Sequence, residues 1–561
     1  MQKIFISSLS ICCLVLGGHS AALASSDTEA LPNILILMAE DMSSRVGAFG
    51  DDVANTPRID ELANEGVRYP QAFTTAGVCA PSRAAMVLGM HQISTGTQHM
   101  RSSNGPTGGY QALPPAHVKA FPELLRRAGY YTFTDGKLDY QFSHIRANSG
   151  PFTIWDAEGF GSDWSGRQGG QPFFGWLNFI VTHEGGVMTP LGDWPNSVIH
   201  VVMQVTRALS GNRVSGGPVE PKEIKLEPYY PDTQIIREDI ARHYNNIHDM
   251  DRRVGEILDR LEAEAVLENT IIIWTTDHGD GLPRAKRDLY DSGIKVPMII
   301  RWPEHLAPDG VAPGSLDNRL ISMIDLAPTI LRLAGVDSPE YLQGQDIVSS
   351  APREFVFASR DRIDEVQDRR RAARSSRFKY LRNWYPDLPA GHALDYRGNL
   401  NMVKEMQTMF VEGRLNEVQG KWFKPQGAEE LYDLDKDPFE VNNLIADPTY
   451  SKDLDQMRGA LDQWLTEIDD LSDLSEAEML KRLGIAAEPQ QTVPPTFEQT
   501  SSGIALSSAT EGASIGYRIN GGLWQIYSAP VSLKAGQRLE AKSVRYGFLE
   551  SETSELMQTS H

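Results

Sequence analysis

Asn33-Ile34-Leu35-Ile36-Leu37-Met38, followed at once by Ala39-Glu40-Asp41, decides how the rest of this chain is read. A near-continuous apolar run offers no polar face to water, so it reads as a strand buried on both sides, as in a parallel sheet. Two carboxylates close it. The same order recurs in residues 130–134 before Lys137, in 173–182 before His183, and in 271–276 before Asp277 and His278. Open parallel sheets take ligands beyond the carboxyl ends of their strands, so these four junctions are expected to meet at one site.

Helical patterns alternate with the apolar runs, at residues 57–65, 122–128 and 235–264; in the last, Ile247, Met250, Val254, Ile257 and Leu261 recur at helical spacing. The alternation predicts an α/β fold, a mostly parallel sheet flanked by helices, over residues 25–345. Past Gly344 it weakens, and 346–487 reads as a smaller α+β subdomain with a late helix at 454–468. Glu488-Pro489-Gln490-Gln491-Thr492-Val493-Pro494-Pro495 is linker-like in composition and marks 488–503 as a connection. Residues 504–561 carry short alternating runs with turns at Gly521-Gly522 and Ala535-Gly536, which predicts a compact β-module.

With 561 residues, 41% of them apolar, the chain can bury a large core without disulfide staples. Lys3 precedes an apolar run over residues 4–17, and Ala22-Leu23-Ala24 offers a small-residue cleavage pattern, so 1–24 reads as a secretory signal peptide. The run is shorter than the roughly 20 residues of a membrane-spanning helix. A secreted or periplasmic protein with no membrane partner is expected. Cleavage removes Cys12 and Cys13 and leaves Cys79 as the one exported thiol, which is either inert and buried or retained for its reactivity. The net charge of −21 argues against nucleic acid as a partner, so any anionic substrate needs a local basic pocket.

Cys79-Ala80-Pro81-Ser82-Arg83 leads into Ala84-Ala85-Met86-Val87-Leu88, good helix formers with a proline suited to the first turn. Cys79 is thereby placed at a helix N-terminus, where free amides stabilise an anion. At these residues the chain resembles the sulfatase family of the alkaline phosphatase superfamily. The cysteine segment fits its C-x-P-S-R signature, Glu40-Asp41 its acidic pair, Asp277-His278-Gly279 its second metal motif and Gly136-Lys137 its G-K motif. Lys286 with Tyr290-Asp291-Ser292-Gly293 and Val296-Pro297 resembles a further family segment, and Glu430-Leu431-Tyr432-Asp433-Leu434 with Asp437-Pro438 resembles its C-terminal signature.

The resemblance implies that a maturation enzyme oxidises Cys79 to formylglycine, whose hydrate attacks sulfur with one oxygen and later expels sulfate by losing the proton of the other. It also implies one calcium ion per chain, held by Glu40, Asp41 and Asp277 beside Cys79. His278 stands where many relatives carry Asn; imidazole is a poor calcium ligand, so it either joins the metal set or donates a hydrogen bond to sulfate. Arg83, Lys137 and Lys286 are expected to hold the nucleophile and sulfate oxygens, and His183 to act as general acid. Asp139 departs from the His that usually follows the G-K motif.

Several stretches, among them His99-Met100-Arg101-Ser102 and Arg360-Asp361-Arg362, resemble N-sulfoglucosamine sulfohydrolases and bacterial polysaccharide sulfatases. A sulfated sugar is implied, heparin-like or algal such as ulvan, with His99, Arg101, Arg360 and Arg362 as candidate substrate contacts. The run Arg369-Arg370-Arg371 with Arg374, Arg377, Lys379 and Arg382 reads either as a contact for uronates and further sulfates or as a solvated face paired with neighbouring acids. Trp524 and Tyr527 either stack on sugar or fill a small core. Two rival functions share these residues: a phosphodiester or phosphonate-ester hydrolase on the same scaffold, and a non-catalytic glycan-binding protein.

Overall fold

The opening apolar run forms β1 (Asn33–Ala39), buried along its whole length. The computed structural model describes residues 31–100, 109–143, 145–146, 148–188, 217–486 and 490–559; the expected signal peptide and Arg101 lie outside them. The strands β2 (Val67–Phe73), β3 (Tyr131–Thr134), β4 (Ala157–Glu158), β5 (Phe173–Phe179), β6 (Thr270–Thr276), β7 (Lys295–Arg301) and β8 (Ile321–Ser322) complete an eight-stranded sheet, ordered β4-β3-β5-β1-β6-β7-β2-β8. β1 pairs in parallel with both β5 and β6. Within this sheet β7 alone runs the other way, antiparallel to β6 and to β2.

Successive side chains of β1 enter opposite cores, as the pleat requires. Ile34, Ile36 and Met38 join Met86, Val87 and Leu88 of α2 (Cys79–Leu88) and Phe121 and Leu125 of α3 (Phe121–Arg127). Leu35, Leu37 and Ala39 join Ile59 and Leu62 of α1 (Pro57–Glu65) and Met250, Val254 and Leu258 of α4 (Gln234–Ala263). Each large side chain so buried contributes about 1.5–3 kcal/mol, which explains why an apolar run without alternation is held at the centre of the sheet.

A second sheet of β9 (Val356–Arg360), β10 (Arg370–Arg374), β11 (Phe378–Asn383) and β12 (Glu429–Asp433) is antiparallel throughout. Helix Ser451–Glu467 closes one of its faces, packing Leu454, Met457, Leu461 and Trp464 on Ala373, Tyr380 and Leu431. Beyond it come β13 (Thr496–Thr500) paired with β14 (Gly503–Ser507), and a four-stranded sheet of β15 (Ser514–Ile519), β16 (Gln525–Ile526), β17 (Arg538–Val544) and β18 (Ser554–Met557). β13 lies inside the stretch expected as a linker, because Phe497 packs against the core of Ile504, Leu506 and Leu539. The tail is anchored on α3: Ser514 Oγ and Tyr546 Oη donate to the two carboxylate oxygens of Glu123 at 2.6 and 2.7 Å. Trp524 is drawn into the same seam, its ring 5.7 Å from that of Phe152 and 4.7 Å from the Arg518 guanidinium.

Candidate active site

The carboxyl ends of β1, β3, β5 and β6 supply the site. Glu40 and Asp41 follow β1, and Asp41 takes a left-handed backbone (φ 49°), unusual for a residue with a side chain. Its amide donates to Asp277 Oδ1 at 3.1 Å, and Asp41 Oδ2 accepts from the Glu184 amide at 2.7 Å. The turn thus aims the Asp41 carboxylate across the sheet. Cys79 opens α2 as expected, with Val78 as an extended N-cap and no side chain capping the helix.

Four groups from three places in the sequence converge. One donor atom each from Asp41, Cys79, Asp277 and His278 lies within 4.8 Å of all the others. Cys79 Sγ is 3.6 Å from Asp41 Oδ1 and 3.2 Å from His278 Nε2. Cations surround this group. Arg83 donates through Nε to Asp277 Oδ2 at 3.0 Å and through Nη2 to Glu40 Oε1 at 3.2 Å. Lys137 Nζ donates to Glu40 Oε2 at 2.9 Å, and Lys286 Nζ donates to Asp41 Oδ2 at 2.6 Å.

These contacts decide the charges. Burial would raise the Cys79 thiol, but Lys137 and Lys286 bring it down to about 6, so a thiolate is favoured at neutral pH. Burial opposes the His278 charge, yet Asp277, Cys79 and Asp41 hold its pKa up to about 10. Its Nδ1 faces the Gly279 carbonyl at 2.9 Å, an acceptor only, so Nδ1 keeps a proton and Nε2 is the nitrogen that titrates. Asp277 is brought down to about 2 by His278, Arg83 and Lys137 against its burial. The His183 ring has the opposite tautomer: Nδ1 accepts from the Gly185 amide at 3.1 Å, which leaves the proton on Nε2, 3.4 Å from Lys286 Nζ.

The comparisons with known proteins agree with this geometry. The Sulfatase family model matches residues 32–164 and 160–336. An ulvan-active sulfatase of Formosa agariphila is 38% identical over 557 residues, covering 94% of this chain and 91% of that protein. The chain belongs to the sulfatase family. It is a sulfuric ester hydrolase. The human N-sulphoglucosamine sulphohydrolase is 24% identical to this sulfatase, over 78% of the chain and 90% of the human protein. In fold, a solved 2-O GAG sulfatase structure superposes with a TM-score of 0.56 at 21% identity, covering 82% of the chain and 95% of that structure.

The sulfatase also uses residues that no motif singled out. Asn178, the amide within the apolar strand β5, accepts from Arg83 Nη1 at 2.7 Å and donates to the Asp135 carbonyl at 2.8 Å. Its signal was present, since one amide in Phe173-Phe174-Gly175-Trp176-Leu177-Asn178-Phe179 needs a partner. Glu184 is 2.8 Å from Lys286 Nζ and accepts two bonds from Arg287, at 2.7 and 2.9 Å.

The four candidate substrate contacts fare differently. The His99 ring bonds Tyr110 Oη at 3.1 Å and lies 3.3 Å from Glu476, and burial pushes its pKa down to about 3; none of its ring partners is in the cluster. Arg360 and Arg362 line a water-sized cleft with Gly77, Val78 and Pro81 beside the Cys79 helix. Both are already paired, Arg360 with Asp368 at 2.7 Å and Arg362 with Glu476 at 2.9 Å. Arg101 is outside the described residues. The basic run is neither a solvated face nor a substrate surface along most of its length. Arg371 is buried between Asp361 and Asp470, and Lys379 is buried against Asp291 and Glu440. Asp139, in place of the usual His, is buried 3.9 Å from Lys137 Nζ.

Proposed function

We propose that this sulfatase removes sulfate from the esters or sulfamates of a sulfated polysaccharide or oligosaccharide, heparin-like or algal such as ulvan. In this reading residues 1–24 direct export, a maturation enzyme oxidises Cys79 to formylglycine, and one calcium ion is held by Glu40, Asp41 and Asp277. The carrying observation is the meeting of Cys79 with two carboxylates and an imidazole within 4.8 Å, under Arg83 and two lysines. The substrate class is supported by the relatives named for ulvan and for N-sulphoglucosamine.

The donor set fits a hard cation. Carboxylate oxygens are what calcium and magnesium take, and like charges drawn this close are stabilised by a cation between them. His278 Nε2, which keeps its proton at neutral pH, pairs with Asp41 Oδ1 rather than joining the carboxylates as a ligand. A bound calcium ion supplies fixed positive charge beside the nucleophile and a sulfate oxygen. The oxidised side chain, as its hydrate, supplies the attacking hydroxyl and a second hydroxyl for releasing sulfate.

The remaining steps belong to unmodified side chains. Lys137 and Lys286 are held above the usual lysine range, Lys137 by Cys79 and Glu40 and Lys286 by Asp41, Cys79 and Glu184, in each case against burial. Both therefore stay charged and can stabilise negative charge growing on sulfate oxygens. Arg83, fixed by Asp277, Glu40 and Asn178, keeps the carboxylates in register. His183, with its proton on Nε2 and a side chain 15% exposed, can donate a hydrogen bond from it to the departing sugar oxygen or nitrogen.

Mass spectrometry of the peptide spanning Cys79, together with sulfate release from defined sulfated oligosaccharides, tests the reading. A thiol at Cys79 in protein co-expressed with a maturation enzyme would leave a glycan-binding protein. Faster turnover of a phosphate diester than of the matching sulfate ester would leave a phosphoester hydrolase.

A further inference from the structure

Phe160 is the most exposed large apolar side chain among the described residues, at 89%. It stands between Gly159 (φ 115°) and Gly161 (φ 85°), two positions in the left-handed region that a side chain would strain, so the loop after β4 is built to carry this one aromatic ring. The ring lies beside the catalytic edge of the sheet. A Cβ added to Gly136 would meet Phe160 Cε1 at 3.7 Å and Ile180 Cδ1 at 3.4 Å, and the next residue is Lys137, whose Nζ holds Glu40.

A second loop joins the first. Lys137 and Arg146 form a backbone bridge, the Leu138 amide donates to the Ile145 carbonyl at 2.9 Å, and the Asn148 amide donates to Glu158 Oε2 at 2.6 Å. The two loops are thus tied together at the rim. Ile145 is half-exposed, and Arg146 is exposed with no side-chain hydrogen bond or ion pair among the described residues. This is unusual here, since Arg83, Arg287, Arg360, Arg362 and Arg371 all have carboxylate partners.

We propose that Phe160 and Arg146 form a sugar subsite next to the sulfate-binding centre, which takes an anionic pyranose of the substrate chain. Phe160 offers its face to the C–H side of the ring, and Arg146 pairs with a carboxylate or second sulfate on it. An aromatic face and a sugar's C–H face remove apolar area from water together, while a free guanidinium is well matched to a planar carboxylate or a sulfate edge. The inference rests on the carbohydrate reading and narrows it, because a neutral glycan would leave Arg146 without a role.

Binding decides it independently of turnover. Full-length protein carrying Cys79→Ser would be titrated by calorimetry with sulfated oligosaccharides that contain uronate, with equally long ones that lack it, and with inorganic sulfate. Phe160→Ala should weaken both oligosaccharide classes about tenfold, and Phe160→Trp should restore them. Arg146→Gln should weaken the oligosaccharides bearing the additional anionic group several-fold more than those lacking it. Inorganic sulfate should bind all variants alike. Unchanged oligosaccharide affinity in Phe160→Ala, or an equal loss for inorganic sulfate, overturns the subsite while the carbohydrate reading stands. If the Cys79→Ser parent binds no oligosaccharide, both fall.

Discussion

Two regions of this sulfatase bury dense charge, and they do so to different ends. In the second sheet cations and carboxylates are saturated by one another: Arg371 lies between Asp361 and Asp470, and Lys379 between Asp291 and Glu440. At the carboxyl ends of the first sheet, Arg83, Lys137 and Lys286 take both oxygens of Glu40 and one oxygen each of Asp277 and Asp41. Asp41 Oδ1 and Asp277 Oδ1 turn inward instead, toward Cys79 and His278. The first arrangement is complete as it stands. The second brings two carboxylates and the Cys79 thiol together around the His278 ring. Buried charge by itself therefore marks neither a site nor a scaffold; what separates them is whether the charges converge on a reactive side chain such as Cys79.

The sharpest way to break this comparison is to remove the proposed nucleophile. Cys79→Ala should lower sulfate release by about 10⁴-fold or more while leaving the thermal midpoint nearly unchanged, because the residue belongs to the unsaturated cluster. Residual turnover above that level, measured on a sulfated oligosaccharide, would take the chemistry away from Cys79. Chelation should come next. Removing divalent cations should suppress release and lower the melting temperature, and calcium should restore both in a concentration-dependent way. If neither changes, the inward-facing carboxylates need no ion. His183→Gln should cost about 10²–10⁴-fold on a sugar sulfate, and much less on an aryl sulfate whose leaving group needs no proton.

The saturated region is expected to answer in stability rather than rate. Arg371→Ala, which strands Asp361 and leaves Asp470 only Arg369, should cost about 3–5 kcal/mol in urea unfolding, and Arg371→Met should cost less if Asp361 and Asp470 are neutralised with it. The tail seam sharpens the same distinction through pH. Glu123 is buried, which would raise its pKa, but Lys119, Arg127 and hydrogen bonds from Ser514 and Thr153 bring it down to about 2. A depressed carboxylate pKa stabilises the fold fully above the ordinary glutamate value and loses that contribution as pH falls toward 2. The contribution is about 3 kcal/mol, and Glu123→Gln should flatten the acid limb of the stability profile between those values.

The first sheet and its candidate site were legible because their signals are local. A buried strand that ends in a charged residue states both its place in the sheet and the end at which its chemistry lies, and Glu40, Asp41, Lys137, His183, Asp277 and His278 all follow such strands. The α/β sheet followed from the same runs. Glu184 and Arg287 were hidden for a different reason: each adjoins a residue with a motif role, and only tertiary structure pairs them. The basic run was half legible: pairing with neighbouring Asp361 and Asp368 could be read from the sequence, but its partners Asp291, Glu440 and Asp470 lie far away in sequence and bury it. β13 was missed because a proline-rich composition just before it masked an alternation that packs a single aromatic, Phe497.

The reversed strand β7 has a consequence for how such a protein can diversify. Because it runs back beside β6, the segment between them leaves the sheet and returns to it at the same edge, carrying Asp277, His278, Lys286 and Arg287 on a span clamped at both ends. An insertion there would displace these four residues together, whereas the Phe160 loop lies outside that span.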